Sequence, residues 1–274
     1  MTVPLPTEFR RMTVRVAGAR INTLAGGDGS PVLLLHGYPQ THVMWHHVAP
    51  RLAEHHTLIL TDLRGYGDSG KPPGGANHEA YAKAAMARDQ VEVIRELGFS
   101  EFAVAGHDRG GRVGHRMALD YPEAVTKLAV LDIVPTRHAF QTADMTFGLG
   151  YWHWFFLAQP ESLPEHLLGA DPDGWVRGRL SGGWQFDPDA LDEYVRCSAT
   201  RPRSTPPART TGPQRASTWP TTTRPPRAAT GSPPRCSPVA NAVPGSTAPR
   251  SAPAPHHPSL ACITGNQISW SNEP

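Results

Sequence analysis

The N-terminal part of the chain carries two kinds of apolar pattern, and both predict β-strands. Apolar and polar residues alternate well enough over residues 11–25 to predict two short strands, closed by a turn at Ala17 and Gly18. Residues 32–36 and 57–63 are instead almost continuously apolar, as in strands that are buried on both faces of a sheet. This part of the chain therefore predicts a hairpin followed by two central strands.

Apolar residues at helical spacing separate the predicted strands. They are Trp45, Val48, Ala49 and Leu52 in a first set, Val91, Ile94 and Leu97 in a second, and Val113, Met117 and Tyr121 in a third. Two further strands are predicted at residues 102–105 and 128–133. Strands that alternate with helices predict an α/β fold with a mostly parallel sheet and right-handed crossovers. Catalytic side chains are then expected at the carboxyl ends of the strands.

Composition divides the chain into three parts. Residues 1–135 carry the strand and helix pattern of a core, whereas residues 136–197 are rich in loops and aromatic residues and predict a helical cap over the site. Ordinary core packing is the alternative for any one of these aromatic residues. Residues 198–274 contain 16 of the 29 prolines, no Phe, no Tyr and one Leu. Such a tail cannot bury enough apolar area to offset its ordering entropy, so we expect disorder or a shifted reading frame there.

The net charge of +2 is the average of two unlike segments. Residues 1–197 hold 18 Lys and Arg against 23 Asp and Glu, whereas residues 198–274 hold eight Arg and one acid, Glu273. The charge is therefore not the footprint of a nucleic-acid partner. No leader pattern and no stretch of about 18 apolar residues is found, which predicts a cytoplasmic protein without a membrane partner. The three cysteines indicate neither disulfides nor a metal site.

The segment from Val104 to Arg112, which reads Val-Ala-Gly-His-Asp-Arg-Gly-Gly-Arg, is the most informative motif. A predicted strand runs into a glycine-flanked turn and then a helix, a context that holds a nucleophile on a strained turn. The residue at that turn is Asp108. A serine there attacks a carbonyl carbon, whereas an aspartate suits displacement at saturated carbon and forms an alkyl ester that water later cleaves. The motif therefore indicates halide or epoxide substrates.

With this motif, the chain resembles the haloacetate (fluoroacetate) dehalogenases of the α/β-hydrolase superfamily over about residues 5–197. The resemblance is carried by His36-Gly37-Tyr38-Pro39-Gln40, Asp62 to Ser69, Gly106 to Arg112, Leu131 to Thr136, and Tyr151-Trp152-His153-Trp154. The first two segments are shared by many members of the superfamily, so they indicate the fold more than the substrate. The last three segments occur in a narrower group of proteins. The resemblance implies an α/β-hydrolase fold with a helical cap, a haloacetate substrate and no metal or organic cofactor.

The resemblance also implies the roles of four charged residues. Asp108 would be the nucleophile, and Asp132 the acid that orients a catalytic histidine. Arg109 and Arg112 would hold the substrate carboxylate, which suits the planar guanidinium group and offsets the repulsion between two anions. The alternatives are a helix N-cap or turn for Asp132, and surface ion pairs or helix N-terminal contacts for the arginines.

Hydrogen-bond donors to the leaving group and to the ester are implied in the same way. His153 and Trp154 would donate to the departing halide, because fluoride is a small, strongly solvated ion that needs donors aimed at its developing charge. A purely structural role is the alternative for His153. The backbone N–H groups of Tyr38 and Arg109 would form the oxyanion site for ester cleavage.

The resemblance ends near Cys197. Members of the family continue with a halide-binding tyrosine and with a histidine that activates water, and neither is recognisable in residues 198–274. His256 and His257 lie between prolines without a strand pattern, so no general-base histidine is identified. Without this base, the ester on Asp108 would form but not turn over.

A slip of the reading frame would explain the tail. With freely chosen synonymous codons, triplets that start one base earlier over residues 207–213 encode Cys, Glu, Asp, Tyr and Arg, which is similar to the family segment with the missing tyrosine. Residues 214–223 and 230–238 also become similar to the family under this shift. The alternative is a genuine Pro/Arg-rich tail that binds acidic surfaces or polyproline readers.

The sequence thus predicts hydrolysis of fluoroacetate or chloroacetate to glycolate and halide through an aspartyl ester. The partner would be a small anionic haloacid, and a homodimer is left open. One alternative is an epoxide hydrolase, which shares the aspartate turn and would use Tyr151 and Tyr194 to protonate the epoxide oxygen. The other is an inactive, truncated product that lacks the base histidine and exposes a sheet edge.

Overall fold

The computed structural model describes residues 8–75, 78–159, 163–181, 186–199, 259–264 and 267–271. Within these residues, the centre is an eight-stranded sheet in the order β1-β2-β4-β3-β5-β6-β7-β8. The strands are β1 (Arg10–Val16), β2 (Ala19–Gly26), β3 (Ser30–Leu35), β4 (His56–Thr61), β5 (Phe102–His107), β6 (Val125–Leu131), β7 (Ser259–Thr264) and β8 (Gln267–Ser271). Strands β4, β3, β5, β6 and β7 are parallel, and antiparallel strands flank them. The predicted α/β fold with a mostly parallel sheet is confirmed.

Helices follow strands β3, β4, β5 and β6. The core contains α1 (Ala49–Ala53), α2 (Lys83–Glu96) and α3 (Arg109–Asp120), and two 3₁₀ helices at His42–Trp45 and Glu79–Tyr81. After β6 come α4 (Thr136–Gln141), α5 (Met145–Gly150), α6 (Trp152–Phe156), α7 (Leu163–Ala170), α8 (Pro172–Leu180) and α9 (Pro188–Ala199). None of the described helices has both the length and the apolar character needed to cross a membrane.

The central strands are continuously apolar because both faces of the sheet are covered. On β3, Leu33 and Leu35 belong to a cluster that includes Val113 of α3. The intervening residue, Leu34, belongs to a second cluster with Trp45. All three leucines are almost completely buried, and each such side chain stabilises the fold by about 1.5–3 kcal/mol relative to an exposed one. Alternate residues of β3 therefore pack on opposite faces of the sheet. This packing fixes the register of the strand and hence the position at which it ends.

A smaller apolar cluster joins the helices after β6 to the core. Val43 of the first 3₁₀ helix packs with Val176 of α8 and Tyr194 of α9. Trp175 of α8 also donates its indole N–H to the hydroxyl of Tyr38 at 2.6 Å. These contacts place α8 and α9 beside the loop that follows β3, at the carboxyl edge of the parallel strands.

Two strands lie in the segment for which the sequence predicts none. β7 pairs in parallel with β6, with Leu260 beside Leu128, and β8 pairs antiparallel with β7. The high Pro and Arg content of the segment as a whole hides a short apolar run, Leu260-Ala261-Cys262-Ile263, which is suited to extend a sheet edge. The sheet therefore continues beyond β6. Residues 200–258, which include His256, His257 and the segments of the frame-slip hypothesis, lie outside the described residues.

Candidate active site

A sharp turn holds Asp108 between β5 and α3. Its backbone has φ 44° and ψ −110°, a conformation that residues other than glycine rarely adopt. The N–H of Asp108 donates to the carbonyl oxygen of Leu131 at 3.1 Å, which ties the turn to the end of β6. Backbone strain of this kind persists only where the surroundings impose it, and it concentrates at functional sites. The strand, turn and helix of the motif thus present a carboxylate at the carboxyl edge of the sheet.

Glycines let the turn approach its neighbours closely. A Cβ atom on Gly110 would lie 2.4 Å from the carbonyl oxygen of Leu35, and one on Gly106 would lie 2.4 Å from the carbonyl carbon of Gly110. A Cβ atom on Gly37 would lie 2.9 Å from the Cβ atom of Asp108. These distances are too short for any larger residue without a shift of the backbone. The glycines on both sides of Asp108 and the one after β3 are therefore requirements of packing.

The Asp108 carboxylate is half-buried and is held by a backbone donor. Its Oδ2 accepts a hydrogen bond from the N–H of Tyr38 at 3.0 Å. Burial alone would raise the pKa of this carboxyl, but Arg109, the Tyr38 N–H, His107 and Arg112 together outweigh it and hold the pKa below the ordinary value of 3.8. Asp108 is thus an anion at neutral pH, the form that a nucleophile requires. Of the two predicted oxyanion donors, the Tyr38 N–H contacts Asp108, and the N–H of Arg109 stays a prediction.

Arg109 is buried in the floor of the site. Only 4% of its surface is exposed. It donates to the hydroxyl of Tyr66 at 3.0 Å, and its guanidinium lies over the ring of Tyr38, 4.8 Å from the centroid. This burial is incompatible with the surface ion pair that the sequence left as an alternative.

Arg112 lies one helical turn further along α3 and is also buried. It donates to the carbonyl oxygen of Val134 at 3.1 Å and to the hydroxyl of Thr136 at 2.7 Å. Its guanidinium lies over the ring of Trp154, 4.4 Å from the centroid. Burial lowers the pKa of Arg112, while the charge of Asp108 counteracts this shift. The Nε atom is buried and has no hydrogen-bond partner among the described residues, so this cation keeps a donor for an anionic ligand.

His153 of α6 offers a second buried donor. Burial is the main cause that lowers its pKa to about 4, and Arg179 and Arg109 contribute to the shift, so the ring is neutral at pH 7. Its Nε2 lies 3.5 Å from a guanidinium nitrogen of Arg179, which can only donate. We therefore assign the ring proton to Nδ1, which is buried and lacks a hydrogen-bond partner within the described part of the chain. The halide-donor roles predicted for His153 and for Trp154, which is 5% exposed beneath Arg112, stay predictions.

The structure does not assemble a base for ester cleavage from the residues that it describes. Asp132 follows β6 with φ 54°, is exposed, and forms no side-chain hydrogen bond with any described residue. His36 is fully buried, donates from Nδ1 to Gly37 O at 2.8 Å and accepts from the N–H of Leu63 at Nε2. Burial lowers the pKa of His36 to about 4. Both of its ring nitrogens are occupied, so His36 supports the loop after β3. The role of Asp132 stays a prediction.

The structure adds residues to the site that the sequence analysis did not identify. Lys83 begins α2, and burial together with the charges of Arg109 and Arg112 lowers its pKa well below 10.5. The others contact predicted site residues, and they are Tyr66, Thr136, Trp175 and Arg179. Tyr66 and Thr136 lie in segments that carry the family resemblance, so the sequence contained a signal that could have identified them as site residues. For Lys83, Trp175 and Arg179 the sequence offers no comparable signal.

Comparison with known proteins finds relatives of this chain. Residues 30–226 match the family model of the alpha/beta hydrolase fold. The chain is 51% identical over 191 residues to a fluoroacetate dehalogenase from Burkholderia sp, a match that covers 68% of this chain and 63% of that protein. It is 33% identical over 202 residues to a soluble epoxide hydrolase from Corynebacterium sp. (strain C12), covering 71% of this chain and 69% of that protein. The chain thus spans less than two thirds of the length of the dehalogenase.

A solved structure shows the same architecture. The crystal structure of a putative alpha/beta hydrolase from Nostoc sp PCC 7120 superposes with a TM-score of 0.73 at 49% sequence identity. The match covers 77% of this chain and 72% of that chain.

Proposed function

The chain belongs to the alpha/beta hydrolase family, and from this premise we propose that it hydrolyses haloacetates, such as fluoroacetate and chloroacetate, to glycolate and halide. The observation that carries the proposal is an ionised aspartate on the nucleophile turn with two buried arginines beside it, Arg109 and Arg112. An anionic substrate approaches an anionic nucleophile only where cations offset the repulsion. Identity of 51% to a fluoroacetate dehalogenase supports the same substrate class.

The first step of the proposed reaction is a substitution at saturated carbon. A carboxylate oxygen of Asp108 attacks the carbon that carries the halogen, the carbon–halogen bond breaks, and the halide leaves with the bonding electron pair. The product is an ester between Asp108 and the hydroxyl carbon of glycolate. Arg112, with its buried Nε donor, and Arg109 are proposed to hold the carboxylate of the substrate so that its other carbon faces Asp108.

The second step is hydrolysis of this ester. Water attacks the carboxyl carbon of Asp108, the bond to the glycolate oxygen breaks, and Asp108 is restored while a proton is released. The N–H of Tyr38 already contacts Oδ2 of Asp108, and we propose that it stabilises the charge that develops on this oxygen. The water-activating base is proposed to come from the C-terminal residues that a restored reading frame would encode.

An epoxide hydrolase is the second candidate, favoured by 33% identity to a soluble epoxide hydrolase. That reaction needs two tyrosine hydroxyls near the nucleophile. Tyr194 is 1% exposed among Val43 and Val176, and burial raises its pKa. Tyr151 is 45% exposed and stacks on Phe147 at 4.9 Å between centroids. The two tyrosines thus have unlike surroundings, because Tyr194 lies in the apolar cluster between the core and the helices α8 and α9, whereas Tyr151 lies at the surface. This difference favours the haloacetate.

A comparison of substrates tests the proposed function. We expect the purified chain to release about one halide per chain from fluoroacetate or chloroacetate, because each ester consumes one nucleophile, and to leave styrene oxide unchanged. Halide is measured with ion-selective electrodes, and the diol by chromatography. Formation of a styrene oxide ester on the chain, detected by mass spectrometry, or of the diol, without release of halide would transfer the assignment to the epoxide hydrolase.

Replacement of His153 tests the role of the second buried donor. We expect His153→Phe to slow halide release from fluoroacetate by about 100-fold, as loss of one preorganised donor does in comparable sites, and to slow release from chloroacetate less. The reason is that fluoride develops the more concentrated charge. The matched control is His166→Phe, at an exposed position of α7. Equal losses with both halogens would contradict a contact with the halide.

The remaining expectations about the setting of the reaction are also proposals. We place the protein in the cytoplasm, where the buried free thiol of Cys197 would stay reduced. The reaction through an aspartyl ester requires neither a metal nor an organic cofactor. The homodimer stays a prediction.

A further inference from the structure

We propose that His46, His47 and Asp187 form a binding site for a divalent transition metal ion, for which Zn²⁺ is the probe. One ligand atom from each residue lies within 4.8 Å of the other two. The histidines directly follow the 3₁₀ helix His42–Trp45 of the core, and Asp187 directly precedes α9. The ion would therefore connect the helices after β6 to the core. None of these three residues has a role in the proposed reaction.

The ring of His46 is already oriented as a metal ligand. Its Nδ1 donates to the carbonyl oxygen of Val43 at 2.8 Å, which assigns the ring proton of the neutral form to that nitrogen. Its Nε2 then carries a lone pair, and this atom is buried without a hydrogen-bond partner among the residues that the structure describes. Histidines that bind metals commonly donate their other N–H to a backbone carbonyl in this manner, which fixes both the tautomer and the ring.

Asp187 is held from the opposite side. Its Oδ1 accepts from the N–H groups of Asp189 at 2.9 Å and Ala190 at 3.2 Å, and thereby caps α9. Its Oδ2 faces Nε2 of His46 at 4.0 Å. A carboxylate oxygen and an imidazole lone pair thus face each other across a gap, an arrangement that a cation between them would stabilise.

The width of the gap suits an ion better than a direct hydrogen bond. A hydrogen bond would bring nitrogen and oxygen to about 2.7–3.2 Å, whereas the two atoms are 4.0 Å apart. Two bonds to Zn²⁺ of about 2.0–2.2 Å each span about 3.4 Å at a tetrahedral angle and about 4.2 Å in line. The third ligand, His47, is exposed and lies with its ring centroid 3.9 Å from that of His46, so its ring can turn towards the ion.

The ligand set indicates which class of ion would bind. Two imidazoles and one carboxylate suit Zn²⁺ and neighbouring transition metals, whereas Ca²⁺ and Mg²⁺ prefer oxygen ligands alone. With three protein ligands, water would complete a tetrahedral site on the exposed side of His47.

Isothermal titration of the full chain with ZnCl₂, after removal of any tag and dialysis against a chelator, tests the proposal. We expect one Zn²⁺ per chain, and we expect Asp187→Asn and His47→Gln each to weaken binding by about 100-fold or more, since even loss of an outer partner costs about 10–100-fold. Asparagine still caps a helix, so α9 remains supported in Asp187→Asn. The matched control, His55→Gln, changes an exposed histidine outside the cluster and should bind Zn²⁺ as the parent chain does.

Thermal melting provides the second readout. Because the ion would bind the folded chain alone, Zn²⁺ should raise the melting temperature of the parent chain and of His55→Gln but not that of Asp187→Asn. No uptake of Zn²⁺ by the parent chain would overturn the proposal, as would undiminished affinity in Asp187→Asn, which would indicate binding to histidines alone. If Asp187→Asn gives no melting transition, His47→Gln decides, because the His47 side chain is exposed and lies outside the apolar clusters of the fold.

Discussion

Replacement of Asp108 by asparagine is expected to abolish halide release from fluoroacetate and chloroacetate. The amide has no anionic oxygen to attack the halogen-bearing carbon, and loss of a catalytic nucleophile lowers rates by about 10⁴-fold or more. The amide oxygen can still accept the hydrogen bond from the N–H of Tyr38 that Oδ2 now accepts at 3.0 Å. The strained turn is therefore preserved, and the effect measures chemistry rather than folding. The rate of fluoride release under single-turnover conditions is the measurement.

The covalent product allows a direct check on this result. After incubation with fluoroacetate, mass spectrometry of the parent chain should find one added carboxymethyl group on the peptide that contains Asp108. The matched control is Asp28→Asn, which changes an exposed carboxylate in the turn between β2 and β3 and should retain both the rate and the adduct. An Asp108→Asn chain with full activity, or an adduct on another residue, would refute the role of Asp108.

Restoration of the reading frame after codon 197 is expected to convert a single release of halide per chain into repeated turnover. Among the described residues, no histidine forms a hydrogen bond with Asp132, and we therefore expect ester cleavage to lack a general base. A positioned base contributes about 10²–10⁴-fold to such a step. The parent chain should therefore stop at about one halide per chain, whereas the frame-restored chain should release halide continuously. Halide released per mole of protein over time is the measurement.

The gene provides the control for this prediction. Nucleotide sequencing around codon 197 shows whether the frame that starts one base earlier remains open, and early stop codons in that frame would reject the slip. A frame-restored chain that carries Asp108→Asn should release no halide, which excludes a contaminating enzyme. Continuous turnover by the parent chain would contradict the prediction, since the base would then lie within the residues already present.

The sheet and the turn at Asp108 could be predicted from sequence because each leaves a local pattern. Alternation over residues 11–25 corresponds to the hairpin of β1 and β2, and the apolar run at residues 32–36 reflects the coverage of both faces of β3. The turn at Asp108 was recognisable because the glycines around it are dictated by contacts as short as 2.4 Å. In the strands and at the turn, the packing constraint falls on residues that are close together in the sequence, so it leaves a pattern that can be recognised there.

The rest of the site could not be predicted because it depends on contacts between distant parts of the chain. Trp175 reaches Tyr38 across 137 positions, and Arg179 reaches His153 across 26. Nothing in the neighbourhood of either residue indicates its partner. The strand β7 was missed for a different reason. Composition was averaged over a long Pro-rich and Arg-rich segment, and an apolar run of four residues does not change that average.

The hydrogen bond between the Tyr38 N–H and Asp108 has a consequence for how this protein can diversify. Main-chain atoms and glycines that admit no side chain anchor Asp108, so few substitutions around it could change the proposed nucleophile. His153 and Trp154, by contrast, belong to a short helix outside the sheet. These are the groups that would contact the rest of the substrate. New preferences are therefore expected to arise through exchange of that helix and its neighbours while the floor beneath them stays fixed. A single scaffold can in this way retain one reaction and change the substrates that it accepts.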